Sequence, residues 1–335
     1  MNLKKTLGWG TLAALALVLY RRRSPSYSQL HPELRSPLLR LRSPAFTLPL
    51  VSLMQRLPTR FSEPTDVAFE ARTVPGPAGA PDVPVFLYRP LPGQRSDAAV
   101  LYIHGGGFVT GSAGAYHRQC AGFAHELGLT VVNVEYRLAP GTPFPGPLED
   151  CYAVLRWMKE QAASLGIDPA RIAVAGDSAG GGLAASLAGL ARDRGEVQPA
   201  FQLLLYPMLD DRTVLNTDHA GRGEFVWTPA SNRLGWTAYL GRRPELETAP
   251  PYAAAARLEN LAGLAPAWIG VGTLDLFYTE DREYARRLRG AGVPCEFYEV
   301  KGGYHASELF TPAASVSRDF LARSMEALRR GLRLA

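Results

Sequence analysis

The chain has 335 residues, of which 47% are hydrophobic and 20% charged, a composition that supplies a substantial core and excludes a disordered or fibrous protein. Its formal charge of +5 is uneven: residues 1–60 hold ten Lys or Arg against Glu33 alone, a net of +9, which leaves −4 for the rest. A mildly acidic body argues against nucleic acid as a partner, because phosphate recognition needs clustered Lys or Arg on the folded face.

In chain order, residues 7–20 form an uncharged apolar run between Lys4, Lys5 and the triplet Arg21, Arg22, Arg23. As a helix it would span roughly 21 Å, short of the roughly 30 Å hydrocarbon layer. The small-x-small site at Ala14–Ala16 lies inside the run, so cleavage as a signal peptide is not expected. Residues 1–23 therefore read as an uncleaved membrane-associated segment, its flanking cations suited to anionic lipid; a cytoplasmic protein is the alternative. Residues 24–65, rich in Pro and Arg, read as short helices of an N-terminal lid.

Residues 66–335 carry the catalytic pattern. Alternation at Val83, Val85 and Leu87 suits a strand, and the continuous apolar run 98–103 suits one buried on both faces. Further strands are expected at 130–134, 172–175, 201–205, 267–271 and 295–300. Helices are expected at 116–127, from Pro147 to the stop at Gly166, and at 179–192, 279–289 and 313–330. Strands alternating with helices give an α/β class, with a mostly parallel sheet covered on both faces. The stretch 212–245 breaks this rhythm and carries Phe225, Val226, Trp227, Trp236 and Tyr239, which reads as a lid insertion. Cys120, Cys151 and Cys295, odd in number and widely spaced, suggest neither disulfides nor zinc.

The sharpest chemical signal is Gly176-Asp177-Ser178-Ala179-Gly180, a GxSxG sequence between an expected strand and an expected helix. Its glycines allow a turn that lifts the serine hydroxyl to the end of the sheet. Such a hydroxyl needs a base. His305, just past the last expected strand, sits at the right edge, unlike His31, His117, His125 and His219. Asp275, after the strand 267–271, is the orienting acid, ahead of Asp281 and Glu283 on the following helix. The order Ser, Asp, His is that of the α/β-hydrolases. His104-Gly105-Gly106-Gly107 follows the strand 98–103, so Gly106 and Gly107, with the amide of Ala179, form the expected oxyanion hole. His104 is expected to brace that loop. No metal or organic cofactor is required.

Together with Tyr136-Arg137-Leu138-Ala139-Pro140, these motifs resemble the hormone-sensitive-lipase family of α/β-hydrolases, including its bacterial carboxylesterases, from about His31 to the C-terminus. The resemblance implies the same triad and oxyanion hole, a lid from the N-terminal helices and the insertion, a short- or medium-chain acyl ester as the small-molecule substrate, and a homodimer. One departure is Gly141, where an acidic residue commonly follows the Tyr-Arg-Leu-Ala-Pro sequence. An amidase or deacetylase on the same triad is a second reading. A ligand-binding hydrolase homologue without turnover is a third, opposed by the presence of His305.

Overall fold

The computed structural model describes residues 24–56, 61–91, 93 and 95–334. The expected anchor at 1–23 thus lies outside the described residues. Eight strands form one sheet in the order β1-β2-β4-β3-β5-β6-β7-β8. They are β1 (Ala68–Val74), β2 (Val83–Arg89), β3 (Ala99–Ile103), β4 (Thr130–Val134), β5 (Ile172–Asp177), β6 (Phe201–Leu205), β7 (Ala267–Gly272) and β8 (Cys295–Val300). β2 is antiparallel to β1 and β4, whereas every pairing from β4 across to β8 is parallel. Seven of these strands match the sequence expectation. β1 does not: as an edge strand with little buried surface, it lacks the apolar alternation that marks the others.

The alternation along β3 shows how the sheet builds two cores. Ala99, Leu101 and Ile103 face one side, with α3 (Gly146–Glu160), α4 (Ala179–Arg194) and α6 (Tyr278–Gly290) over it. Val100 and Tyr102 face the other, under α2 (His117–Leu127) and α7 (Ser315–Gly331). In α7 the buried positions Phe320, Ser324, Ala327 and Leu328 follow helical spacing, so one stripe meets the sheet. The expected single helix to Gly166 is interrupted after α3, and a short turn at Ala162–Leu165 precedes that glycine.

Before the sheet, residues 24–40 form three 3₁₀ turns, followed by α1 (Leu48–Arg56). Leu30 and Leu34 pack with Phe225, Leu274 and Tyr304, and the His31 amide donates to the Gly302 carbonyl at 3.0 Å. The N-terminal segment thereby braces the loop that carries His305. Between β6 and β7 lies α5 (Pro229–Leu240), capped by the Thr228 hydroxyl, which accepts from the Ser231 amide.

Candidate active site

Ser178 stands between β5 and α4 with φ 55° and ψ −121°, a backbone conformation costly for a side-chain-bearing residue. The turn holds it there because the neighbouring chains touch. A Cβ on Gly180 would come within 2.0 Å of the Ile103 carbonyl oxygen, so β5, β3 and α4 meet too closely for any residue but glycine.

The structure brings the three expected residues together. His305 Nε2 lies 3.0 Å from Ser178 Oγ, and its Nδ1 lies 2.8 Å from Asp275 Oδ2. A carboxylate only accepts, so Nδ1 carries the proton and Nε2 is left to accept from the serine hydroxyl. The second Asp275 oxygen accepts the Phe277 amide at 3.0 Å, which fixes the carboxylate plane. All three side chains are buried. The rejected acids lie elsewhere: Glu283 pairs with Arg286, and the carboxyl of Asp281 is buried with no hydrogen-bond partner among the described residues.

Gly106 and Gly107 turn at φ 123° and 62°. Among the described residues, their N–H groups and that of Ala179 have no acceptor, whereas the Gly105 amide is used by the Tyr116 hydroxyl at 3.3 Å. Ala179 opens α4, whose first amides have no partner within the helix. The expected donors are thus free, on the turn next to the serine and at the positive end of a helix. His104 braces this turn as expected, with Nδ1 2.8 Å from the Gly105 carbonyl and its ring stacked on Tyr136. The Tyr136 hydroxyl donates to the His104 carbonyl at 2.9 Å, and Arg137 grips Asp150 through two nitrogens. This ion pair joins the Tyr-Arg-Leu-Ala-Pro segment to α3 without using position 141.

A family profile described as alpha/beta hydrolase fold matches residues 100–309. The chain is 35% identical to esterase LipI of Mycobacterium tuberculosis over 76% of its own length and 80% of that protein's. It is 36% identical to an ethyl acetate hydrolase of Pseudomonas putida, over 67% and 70% of the two chains. A solved structure titled bacterial heroin esterase superposes with a TM-score of 0.82 at 39% identity, covering 92% of this chain and 99% of that one. The chain belongs to the hormone-sensitive-lipase-type α/β-hydrolase family.

Several groups around the triad of this hydrolase have contacts that its motifs do not reveal. Asp177 is fully buried and accepts from the Tyr102 hydroxyl at 2.9 Å and the Tyr116 hydroxyl at 2.7 Å. Burial pushes its carboxyl up, and the two hydroxyls oppose that shift. Asp177 therefore ties the serine turn to β3 and, through Tyr116, to the glycine turn. On the other flank, Tyr206 follows β6 and sets its ring edge-on to His305 at 5.0 Å. Its hydroxyl donates to Glu308, three residues beyond that histidine. Glu280, also buried, accepts the Leu209 and Asp210 amides at 2.7 and 3.1 Å and so joins α6 to the chain after β6. An acidic residue just after a catalytic loop was the only sequence hint to Glu308 and Glu280, and it does not distinguish a brace from a surface charge.

Burial pushes the Glu308 carboxyl up to about 7, with the Tyr206 hydroxyl opposing. Folding therefore takes up a proton at this site between about 4.5, the ordinary value, and 7. Stability contributed there is full at low pH and falls as pH rises through that window. Glu308→Gln cannot ionise and should lose this part of the decline. Melting temperatures of both proteins at about pH 5 and about pH 8 check it; an equal fall in the two would remove Glu308 from the account.

Proposed function

We propose that Ser178, His305 and Asp275 hydrolyse short-chain acyl esters through an acyl-enzyme, with Gly106, Gly107 and Ala179 as the oxyanion donors. The chain is a serine carboxylesterase-type hydrolase by its relatives; the residue roles and the acyl preference rest on the geometry. The single observation that carries the mechanism is the continuous hydrogen-bonded path from Ser178 Oγ through the imidazole to Asp275.

Ser178 Oγ attacks the ester carbonyl as its proton passes to His305 Nε2. The carbonyl oxygen becomes an oxyanion received by the free amides, each worth about 3 kcal/mol in the transition state. His305 then gives the proton to the departing alkoxide, and the alcohol leaves. In the second half His305 takes a proton from water, hydroxide attacks the acyl carbon, and the carboxylic acid is released as Ser178 regains its proton.

The acyl preference rests on Trp227, the one member of the aromatic group in the 212–245 insertion that reaches this chemistry. Trp236 and Tyr239 pack on Phe108, and Phe225 packs on Tyr304. The Trp227 ring lies so close to Gly107 that a Cβ there would overlap it, and its centroid is 6.3 Å from that of His305. Its Nε1 donates to Asn232 at 3.3 Å, and Phe46 packs against it. A large ring held beside both the oxyanion turn and the imidazole leaves little length for an acyl tail. The relative named ethyl acetate hydrolase is consistent with a short acyl group.

The test is a series of p-nitrophenyl esters from acetate to octanoate. The wild type should turn over the short members best, and Trp227→Leu should raise octanoate turnover about tenfold relative to acetate, the scale of methylene discrimination in apolar pockets. No turnover of any member would refute the ester reading. An unchanged profile in the variant would refute the role of Trp227.

A further inference from the structure

The outer surface of the N-terminal segment has no partner within the described chain. Seven of the twelve exposed large apolar side chains among the described residues fall between Leu38 and Phe61, so apolar exposure is concentrated on one short stretch. Leu38 is 84% exposed, and Leu50 and Leu53 are 43% and 55% exposed. On α1, Leu50, Leu53 and Met54 stand three and four residues apart and share an outward stripe, whereas Val51 is buried and Gln55 reaches inward. The Gln55 side-chain amide donates to the carbonyls of Val109 and Ala139, at 2.8 and 3.0 Å. The helix is therefore fixed to the body with its apolar stripe turned to solvent, an arrangement that marks a binding surface when the patch is contiguous.

We propose that this stripe, with the Leu38–Leu41 turn, is a docking surface for a bilayer of anionic lipid. Three observations select that occupant. Residues 1–60 carry ten cations against one acid, and Arg40 and Arg56 are interspersed with the exposed apolar side chains, whereas Arg42 is paired with Glu224 at 2.8 Å. A second copy, or a covering by the chain's own residues 7–20, would account for the apolar stripe and leave the cations other than Arg42 unexplained; apolar side chains among cations match a negatively charged headgroup layer over hydrocarbon. The described chain also begins on this face, because the Ser24 amide donates to the Arg40 carbonyl at 2.9 Å. The point of attachment of residues 1–23 is thus beside the Leu38–Leu41 turn. Among the described residues no helix is long and apolar enough to cross a membrane.

Sedimentation of the full-length protein with vesicles tests the proposal, comparing phosphatidylcholine alone with phosphatidylcholine containing phosphatidylglycerol. The wild type should pellet with the anionic vesicles, and added salt should weaken the binding. Leu50→Glu combined with Leu53→Glu, in the full chain, should bind at least tenfold more weakly while its far-ultraviolet circular dichroism matches the wild type. Ser178→Ala should pellet like the wild type, so docking is read separately from ester cleavage. Three results would overturn the proposal: wild type that stays in the supernatant, a double variant that binds as well as wild type, or light scattering that finds a dimer which the double substitution dissolves with no vesicle binding in either protein.

Discussion

Ser178→Ala should lower kcat by about six orders of magnitude, the scale seen when the nucleophile of a serine triad is removed. In the proposed mechanism the lost group forms the acyl bond, and among the described residues its oxygen is the one hydrogen-bonded to His305 Nε2. Binding should survive, since the free amides of Gly106, Gly107 and Ala179 do not depend on the hydroxyl. The variant should therefore hold substrate with little change in Kd and show a residual rate above water from the oxyanion donors. A fluorophosphonate gives the complementary measurement. It should place a phosphonyl group on Ser178 in the wild type and on nothing in the variant. Labelling of the variant at another serine would remove Ser178 from the mechanism.

The second large effect is expected at Asp275. Asp275→Asn keeps the size of the side chain and an oxygen for the Phe277 amide, so the fold should be little disturbed. Its amide, however, can donate to His305 Nδ1. That favours the tautomer with the proton on Nε2, where the imidazole faces the serine with a donor and cannot take its proton. A loss of about 10⁴ in kcat follows, with a much smaller change in KM. Asp281→Asn is the control. Its carboxyl is buried near Asp275 and pushed well above the ordinary range by burial and then by the neighbouring Glu280 and Asp275 charges, yet it makes no hydrogen bond to the imidazole. Its kcat should stay within a few-fold of wild type. Equal losses in the two variants would mean that the effect is a general disturbance of α6 and not the orientation of His305.

Most of the strands that carry the site were legible because they are buried on both faces; β8, which leads to His305, is partly exposed. β3, β5, β6 and β7 are buried along their whole length, and such a strand reads as a near-continuous apolar run. The serine turn was legible for a related reason. Its glycines are demanded by backbone contact, so sequence and geometry there are nearly the same statement. Edge strand β1 was not legible, because half-exposed positions accept Glu70, Arg72 and Thr73 as readily as apolar residues. The break after α3 was hidden too, since helix-forming residues continue across it.

By itself the sequence determined the α/β class, the sharp turn at Ser178, and the order in which the serine, the acid and the base arrive at one edge of the sheet. These follow from local rules: burial period, turn sterics and the side on which each loop leaves a parallel strand. Only the tertiary structure decided that Trp227, among the aromatics of residues 212–245, stands against Gly107 and the imidazole. It alone showed that Tyr206 and Glu308 back His305, that Tyr102 and Tyr116 hold Asp177, and that the stripe on α1 points outward. Each of these is a meeting of residues far apart in the chain, from Asp177 with Tyr102 to Tyr206 with Glu308. Such meetings are set by packing, and packing leaves no period or spacing along the chain from which they could be read.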